Sequence, residues 1–319
     1  MTGATAQRGE RRRVVVTGAA GLVGQNLIPH LKRFGYSLVA IDKHPANTKI
    51  LKRLHSDLEV IEADLAHDES WQKSLDGADS IVVCHAQIGG LDPEEFAANN
   101  VTATERLLTA AKRAGVSHIV QISSSVVNSA AVDLYTETKK AQERLAVASG
   151  IPCVVLRPTL MFGWFDRKHV GWLARFMARV PVFPVPGNGR YLRQPLYAGD
   201  FSNIVAVCVQ RRIANAAYNI SGLSKIDYID LIRELRAVLG LRTPIVRIPY
   251  RMFWILLKAY ATIDRDPPFT TKQLEALVTS DIFEVIDWPG IFGVPPTPLR
   301  EALRETFRDE RYSQIALEF

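Results

Sequence analysis

The stretch VVVTGAAGLVG, residues 14–24, decides how this chain is read. A run of valines breaks into Gly18, Gly21 and Gly24 where the apolar spacing of a helix takes over. Glycine costs about 1 kcal/mol in a helix relative to alanine. Glycines repeated at a strand end therefore mark backbone that another group must approach closely. In a strand–turn–helix unit the first permits the tight turn, the second admits a pyrophosphate, and the third lets the helix pack on the strand. Leu22 and Val23 open that helix, whose first N–H groups and partial positive charge favour phosphate.

The segments after Gly24 fit that start. SLVAID, LEVIEAD, DSIVVCHA, SHIVQISSS and PCVVLRPT read as strands. The segments between them have helical spacing and stop at Gly35, Gly115 and Gly150. Strand–helix alternation implies βαβ units and a doubly wound parallel sheet of Rossmann type. We expect a basic tail over 1–12 and a dinucleotide-binding domain over 13–165, with a returning segment at about 195–220. A smaller α/β substrate-binding lobe is expected over 166–194 and 221–319. There VPVFPVPGNG reads as a loop, AGDFSNIVAVCVQRR as a helix capped by its Asp, and IDYIDLIRELRAVLG as a helix ending at Gly240.

The second strand ends in Asp42, eighteen residues past Gly24. A carboxylate there accepts from a ribose 2′-hydroxyl and repels a 2′-phosphate, which favours NAD over NADP; Lys43 beside it weakens the preference. Asp64, after the third strand, either meets the adenine edge or caps a helix. Tyr135 and Lys139 stand four apart on one helix face. An ammonium beside a phenol lowers the phenol's pKa and makes it a usable acid or base. Ser123, Ser124 and Ser125 end the fifth strand, on the ligand-binding edge of an open α/β sheet.

Composition sets the bounds. The chain has 319 residues, 47% of them hydrophobic, and a net charge of +6. The excess suits an anionic substrate or surface. Nucleic acid is not expected, since no dense Lys/Arg face with interleaved aromatics occurs. Cys84, Cys153 and Cys208 lie in apolar runs, so they read as buried thiols of a reducing compartment and form no metal set. The N-terminus has no apolar core of a secretory signal. The expected location is cytoplasmic, with a membrane-associated alternative.

Taken in order, TGxxGxxG (17–24), Asp42, Asp64-Leu65, NNVTAT, ISSS, Tyr135-x-x-x-Lys139 and LRPTLMFG resemble the extended short-chain dehydrogenase/reductases, the NAD-dependent epimerase/dehydratase family. The resemblance covers about residues 13–220 well and the last hundred loosely. It implies Tyr135 as general acid/base, Lys139 as its tuner and ribose anchor, and Ser124 as substrate-oxygen donor with Ser125 the runner-up. It places Asn100, Pro158 and Thr159 beside the cofactor, with Ser123, Leu65, His85 and Ala86. It sets Arg193 in RQPLYAGD against a substrate phosphate, the other reading of Arg193 being a surface ion pair. It also implies a homodimer through helices 97–114 and 135–149.

The reaction expected is hydride transfer at a carbon of a nucleotide sugar or polyprenyl-linked sugar, by an epimerase or reductase. Two alternatives stand beside it: a reductase or dehydrogenase of a hydrophobic ketone at a membrane surface, and a non-catalytic nucleotide-binding factor of the complex I accessory subunit type. The chain departs from the family pattern at Val127-Asn128-Ser129 and at Cys84-His85-Ala86. His85 is either structural or a participant in proton transfer. IPYRMFWILLKAY is either a core helix or, over residues 249–263, a peripheral membrane contact.

Overall fold

The computed structural model describes residues 12–129, 132–263, 270–279 and 282–318. The tail expected over 1–12 lies outside the described residues except for Arg12.

Five strands build the first half of a parallel sheet: β1 (Arg13–Thr17), β2 (Ser37–Asp42), β3 (Glu59–Glu62), β4 (Ala78–Val83) and β5 (His118–Ile122). β6 (Cys153–Pro158) extends it on one side. Helices α1 (Leu22–Arg33), α2 (Pro45–Leu54), α3 (Pro93–Phe96), α4 (Ala103–Arg113) and α5 (Leu134–Ala148) connect the strands. A π-helical turn at Ala97–Thr102 joins α3 to α4. The central strands are valine- and isoleucine-rich because helices cover both their faces. Val14–Val16 and Ile81–Val83 are fully buried.

The chain then leaves the sheet and returns. Short strands β7 (Met161–Phe162), β8 (Phe183–Pro186), β9 (Leu192–Arg193) and β10 (Leu196–Tyr197) alternate with α6 (Val170–Arg179). Helix α7 (Ala198–Arg211) packs on α1 and leads to β11 (Ala216–Ile220), the seventh sheet strand. The sheet order is β11-β6-β5-β4-β1-β2-β3, and every pairing is parallel. The winding direction reverses between β1 and β4, which is where such sheets bind ligands.

The remaining elements are β12 (Ile226–Asp227), α8 (Tyr228–Leu239), β13 (Ile245–Ile248), α9 (Tyr250–Ile263), α10 (Thr271–Val278), α11 (Trp288–Phe292) and α12 (Leu299–Arg308). Gly240 ends α8 in the left-handed region, as its sequence implies.

Two local readings are corrected. VPVFPVPGNG is not all loop: Phe183–Pro186 is a strand paired in parallel with β13. Its prolines sit in a two-stranded sheet with a free edge, where a missing N–H is tolerated. Asp200 is not an N-cap either. Tyr197 stands there, and the Asp200 carboxylate instead accepts from the Thr297 N–H (3.0 Å) and hydroxyl (2.6 Å), tying α7 to the C-terminal segment.

Candidate active site

Gly18 turns the chain at φ +63°, and a Cβ there would stand 2.5 Å from the His85 nitrogen. β1 and β4 thus approach each other as no other residue would allow. A Cβ at Gly24 would meet the Ala19 backbone at 2.5 Å, so this glycine seats α1 on the turn. Gly21 differs: a Cβ would touch only the Gly18 carbonyl oxygen, at 3.4 Å. It is the N-cap of α1, where no side chain caps the helix and no acid occupies the first turn. The space over Gly21 and the helix end suit a pyrophosphate.

Gly18 and Gly21 open onto a cleft of about 530 Å³. Gly18, Gly21, Asp42, Lys43, Asp64, Leu65, His85 and Ala86 line it. Leu22, Val23, Gly24, Asn100, Ser123, Ser124, Ser125, Tyr135, Lys139, Pro158 and Thr159 do not border it directly. Thr159 donates its N–H to Ile220, and its buried hydroxyl has no partner among the described residues.

The Asp42 carboxylate accepts from the Ala20 N–H and the His44 N–H, both at 2.9 Å. Burial raises its pKa, against those two donors. Lys43 does not reach toward it. Its ammonium bonds Asn99 at 2.6 Å and pairs with Asp64 at 3.3 Å. Burial raises Asp64's pKa, but the Ala66 N–H and Lys43 outweigh it and the net shift is downward. Lys43 is therefore committed to Asn99 and Asp64, and among the described residues Asp42 is left without a cationic partner of its own in the cleft.

The three serines part company. Ser123 donates to Glu143 at 2.8 Å, and Arg157 clamps the same carboxylate. Ser124 caps a 3₁₀ turn over Ser125–Asn128, its hydroxyl accepting from the Val126 N–H at 3.4 Å, and it acts on the Tyr135 phenol from nearby. Ser125 begins that turn, half-buried.

Tyr135 corrects one expectation. Its pKa is raised, by burial first, with Ser124 opposing and Asp133 adding. Lys139 does not lower it here, because its buried ammonium donates to the Ile122 carbonyl (2.9 Å) and to Gln142. Burial brings Lys139 down to about 8. Its third N–H remains to reach toward Tyr135 or a ribose.

His85 sits in a directed hydrogen-bond chain. The Thr104 hydroxyl donates to the Asn100 carbonyl (2.8 Å), so it accepts from both Gln142 (3.0 Å) and His85 Nε2 (3.0 Å). His85 Nδ1 then accepts from Thr17 at 2.8 Å. Both ring nitrogens are used, and burial drops the pKa to about 3, leaving a neutral ring. Asn100 lies fully buried behind the cleft. It bonds both backbone groups of Gln87 (2.6 and 3.1 Å) and the Thr138 hydroxyl (2.9 Å), joining the loop after β4 to α5.

A second cavity of about 640 Å³ lies on the other side of residues 160–169. Aromatic and aliphatic side chains form nearly all its wall: Trp172, Leu173 and Phe176 from α6, Phe183 from β8, Phe253 and Leu257 from α9. Trp172 and Phe176 stack at 5.0 Å. Sequence reading did not find this cavity, because its wall is drawn from segments scattered between residues 160 and 283. Lys168 borders both spaces. Its position is set by Asp166, a buried carboxylate that accepts from the N–H groups of Lys168, His169 and Gly171. Arg193 borders the apolar cavity, where its guanidinium donates to the carbonyls of Leu277 and Thr279 at the end of α10.

The NAD dependent epimerase/dehydratase family model matches residues 14–221. The chain belongs to that family. NAD is its cofactor, and the open glycine turn, uncapped helix end and Asp42 fit it. The 3 beta-hydroxysteroid dehydrogenase/Delta 5-->4-isomerase of Mycobacterium tuberculosis (strain ATCC 25618 / H37Rv) is 34% identical over 272 residues, 75% of this chain and 72% of that one. UDP-glucose 4-epimerase of Vibrio cholerae is 22% identical over 95% of this chain and 96% of its own. The solved structure of MoeE5 in complex with UDP-glucose and NAD is 26% identical, with a TM-score of 0.67 over 92% of this chain and 97% of that chain.

Proposed function

We propose that this enzyme interconverts a secondary alcohol and a ketone on a hydrophobic, lipid-like molecule, with NAD as the redox partner. The observation that carries this reading is the large, almost wholly apolar cavity separated from the cofactor cleft by the Lys168 segment. A polar sugar there would give up hydration with few donors or acceptors in return. The kinship with a steroid dehydrogenase points the same way.

When bound, NAD takes up or supplies the hydride at the substrate carbon. Ser124 and Tyr135 hold the substrate oxygen, and the raised pKa keeps Tyr135 a phenol. A phenol is a proton donor, so in the reduction of a ketone the substrate oxygen would take its proton from Tyr135. In the reverse direction Lys139, with its one remaining N–H, stabilises the phenolate that must accept the proton. Asp42 selects a free ribose 2′-hydroxyl, and Asn100 and Gln142 position the Gln87 loop and Lys139.

The second reading is a nucleotide-sugar epimerase or reductase, favoured by the MoeE5 likeness and by Arg193 at the cavity rim. A homodimer through residues 97–114 and 135–149, and membrane contact through 249–263, belong to our reading as well. The test is turnover of NADH with purified protein against hydrophobic ketones and against UDP-sugars. Net NADH loss with the former and no sugar interconversion supports the first reading. Sugar interconversion without net NADH loss selects the second.

A further inference from the structure

We propose that helix α9 docks the enzyme on an anionic lipid bilayer, and that the substrate enters the apolar cavity from that side. The docking develops the membrane contact through 249–263 named above, and the entry route rests also on the hydrophobic-substrate reading.

Helix α9 is apolar on two faces. Phe253 and Leu257, one turn apart, line the cavity. Met252, Ile255 and Leu256 lie on another face and are 48%, 60% and 54% exposed. Single exposed apolar residues are ordinary on a protein surface. Three within two turns of one helix face are not explained by the fold, since a helix apolar all round is normally buried.

The occupant follows from length and charge. Fourteen residues span about 21 Å, short of the ~30 Å hydrocarbon core. No helix among the described residues is long and apolar enough to cross a membrane. Such a helix lies in the plane of the headgroups. Between residues 235 and 263 the chain carries Arg236, Arg242, Arg247, Arg251 and Lys258, and no Asp or Glu. Arg251 and Lys258 are exposed on α9 itself, and Arg247 is exposed on β13 just before it. Lys258 lies 4.5 Å from the Trp254 ring, an aromatic–cation pair suited to the headgroup layer. A second copy of this chain on the same face would set these cations against each other. Phosphate headgroups would neutralise them. The helix that meets the lipid is also the cavity's wall, so a lipid-dissolved substrate has a short path past Phe253 and Leu257.

The test is flotation of the full chain with vesicles of phosphatidylcholine alone or with added phosphatidylglycerol. Wild type is expected to float with the anionic vesicles and to be released by salt. Ile255→Asp/Leu256→Asp and Arg251→Glu/Lys258→Glu should each weaken binding about tenfold or more. They should leave the thermal midpoint and the turnover of a detergent-dispersed ketone unchanged, while turnover of the same ketone embedded in vesicles falls. Absence of vesicle binding by wild type, or undiminished binding by both variants, overturns the proposal. So does a concentration-dependent dimer that the variants abolish. Flotation needs no substrate, so vesicle binding without turnover of any hydrophobic ketone would sink the substrate reading and leave the docking standing.

Discussion

At Gly18 and Gly21 one motif carries two separable duties. Gly18→Ala forces a Cβ into the His85 and Cys84 backbone at positive φ, so we expect a loss of about 2–4 kcal/mol in unfolding free energy by urea titration. Gly21→Ala meets nothing nearer than 3.4 Å. It should leave stability nearly intact and weaken NAD binding about tenfold or more by calorimetry. Equal effects of the two on stability would contradict this division. His85 supplies a second residue-level test. Its folded pKa of about 3 lies below the unfolded value of 6.5, so the unfolded state takes up a proton first. Its contribution is complete above pH 6.5 and is lost as pH falls toward 3. His85→Asn should flatten the stability–pH slope between these values by about 1.4 kcal/mol per pH unit. Glycine spacing, Asp42 and the Tyr-x-x-x-Lys pair were legible because they are local in sequence. The roles of Lys43 and Lys139 were not, since both depend on partners such as Asn99 and Gln142 that only the fold brings near.

Among the elements, the turn at Asp166 links the two halves of the site. Its carboxylate serves three N–H groups before and within the first turn of α6 and holds Lys168 between cleft and cavity. Asp166→Ala leaves those donors without their acceptor and should cost about 1–3 kcal/mol. The KM for the hydrophobic substrate should rise more than the Kd for NADH, because α6 carries Trp172, Leu173 and Phe176. An unchanged KM would sever α6 from the substrate site. Strands and helices up to β6 could be read from their periods and their terminal glycines. The short strands after it could not. β7, β9, β10 and β12 have two residues each, too few to show a period. β8 is hidden by its prolines, and its pairing with β13 spans some sixty residues.

Across the whole molecule, a polar cleft and an apolar cavity both border Lys168; the first fits a dinucleotide, and the second is the substrate site we propose. No segment announces the second, because α6, β8, α8, α9 and α10 each supply only one to four side chains to its wall. The composition pointed to an anionic partner, which the cation-rich stretch from 235 to 263 shares with the Arg193 rim. Phe176→Asn, which places an amide against Trp172 and Phe183, should raise the KM for a hydrophobic ketone about tenfold and leave NADH affinity unchanged. The most direct measurement of the central claim is label transfer from NADH deuterated at the nicotinamide hydride position to a hydrophobic ketone, followed by mass spectrometry of the product alcohol. We predict a single deuterium in the product with wild type and nearly none with Tyr135→Phe. An unlabelled product, or equal labelling by Tyr135→Phe, would contradict it.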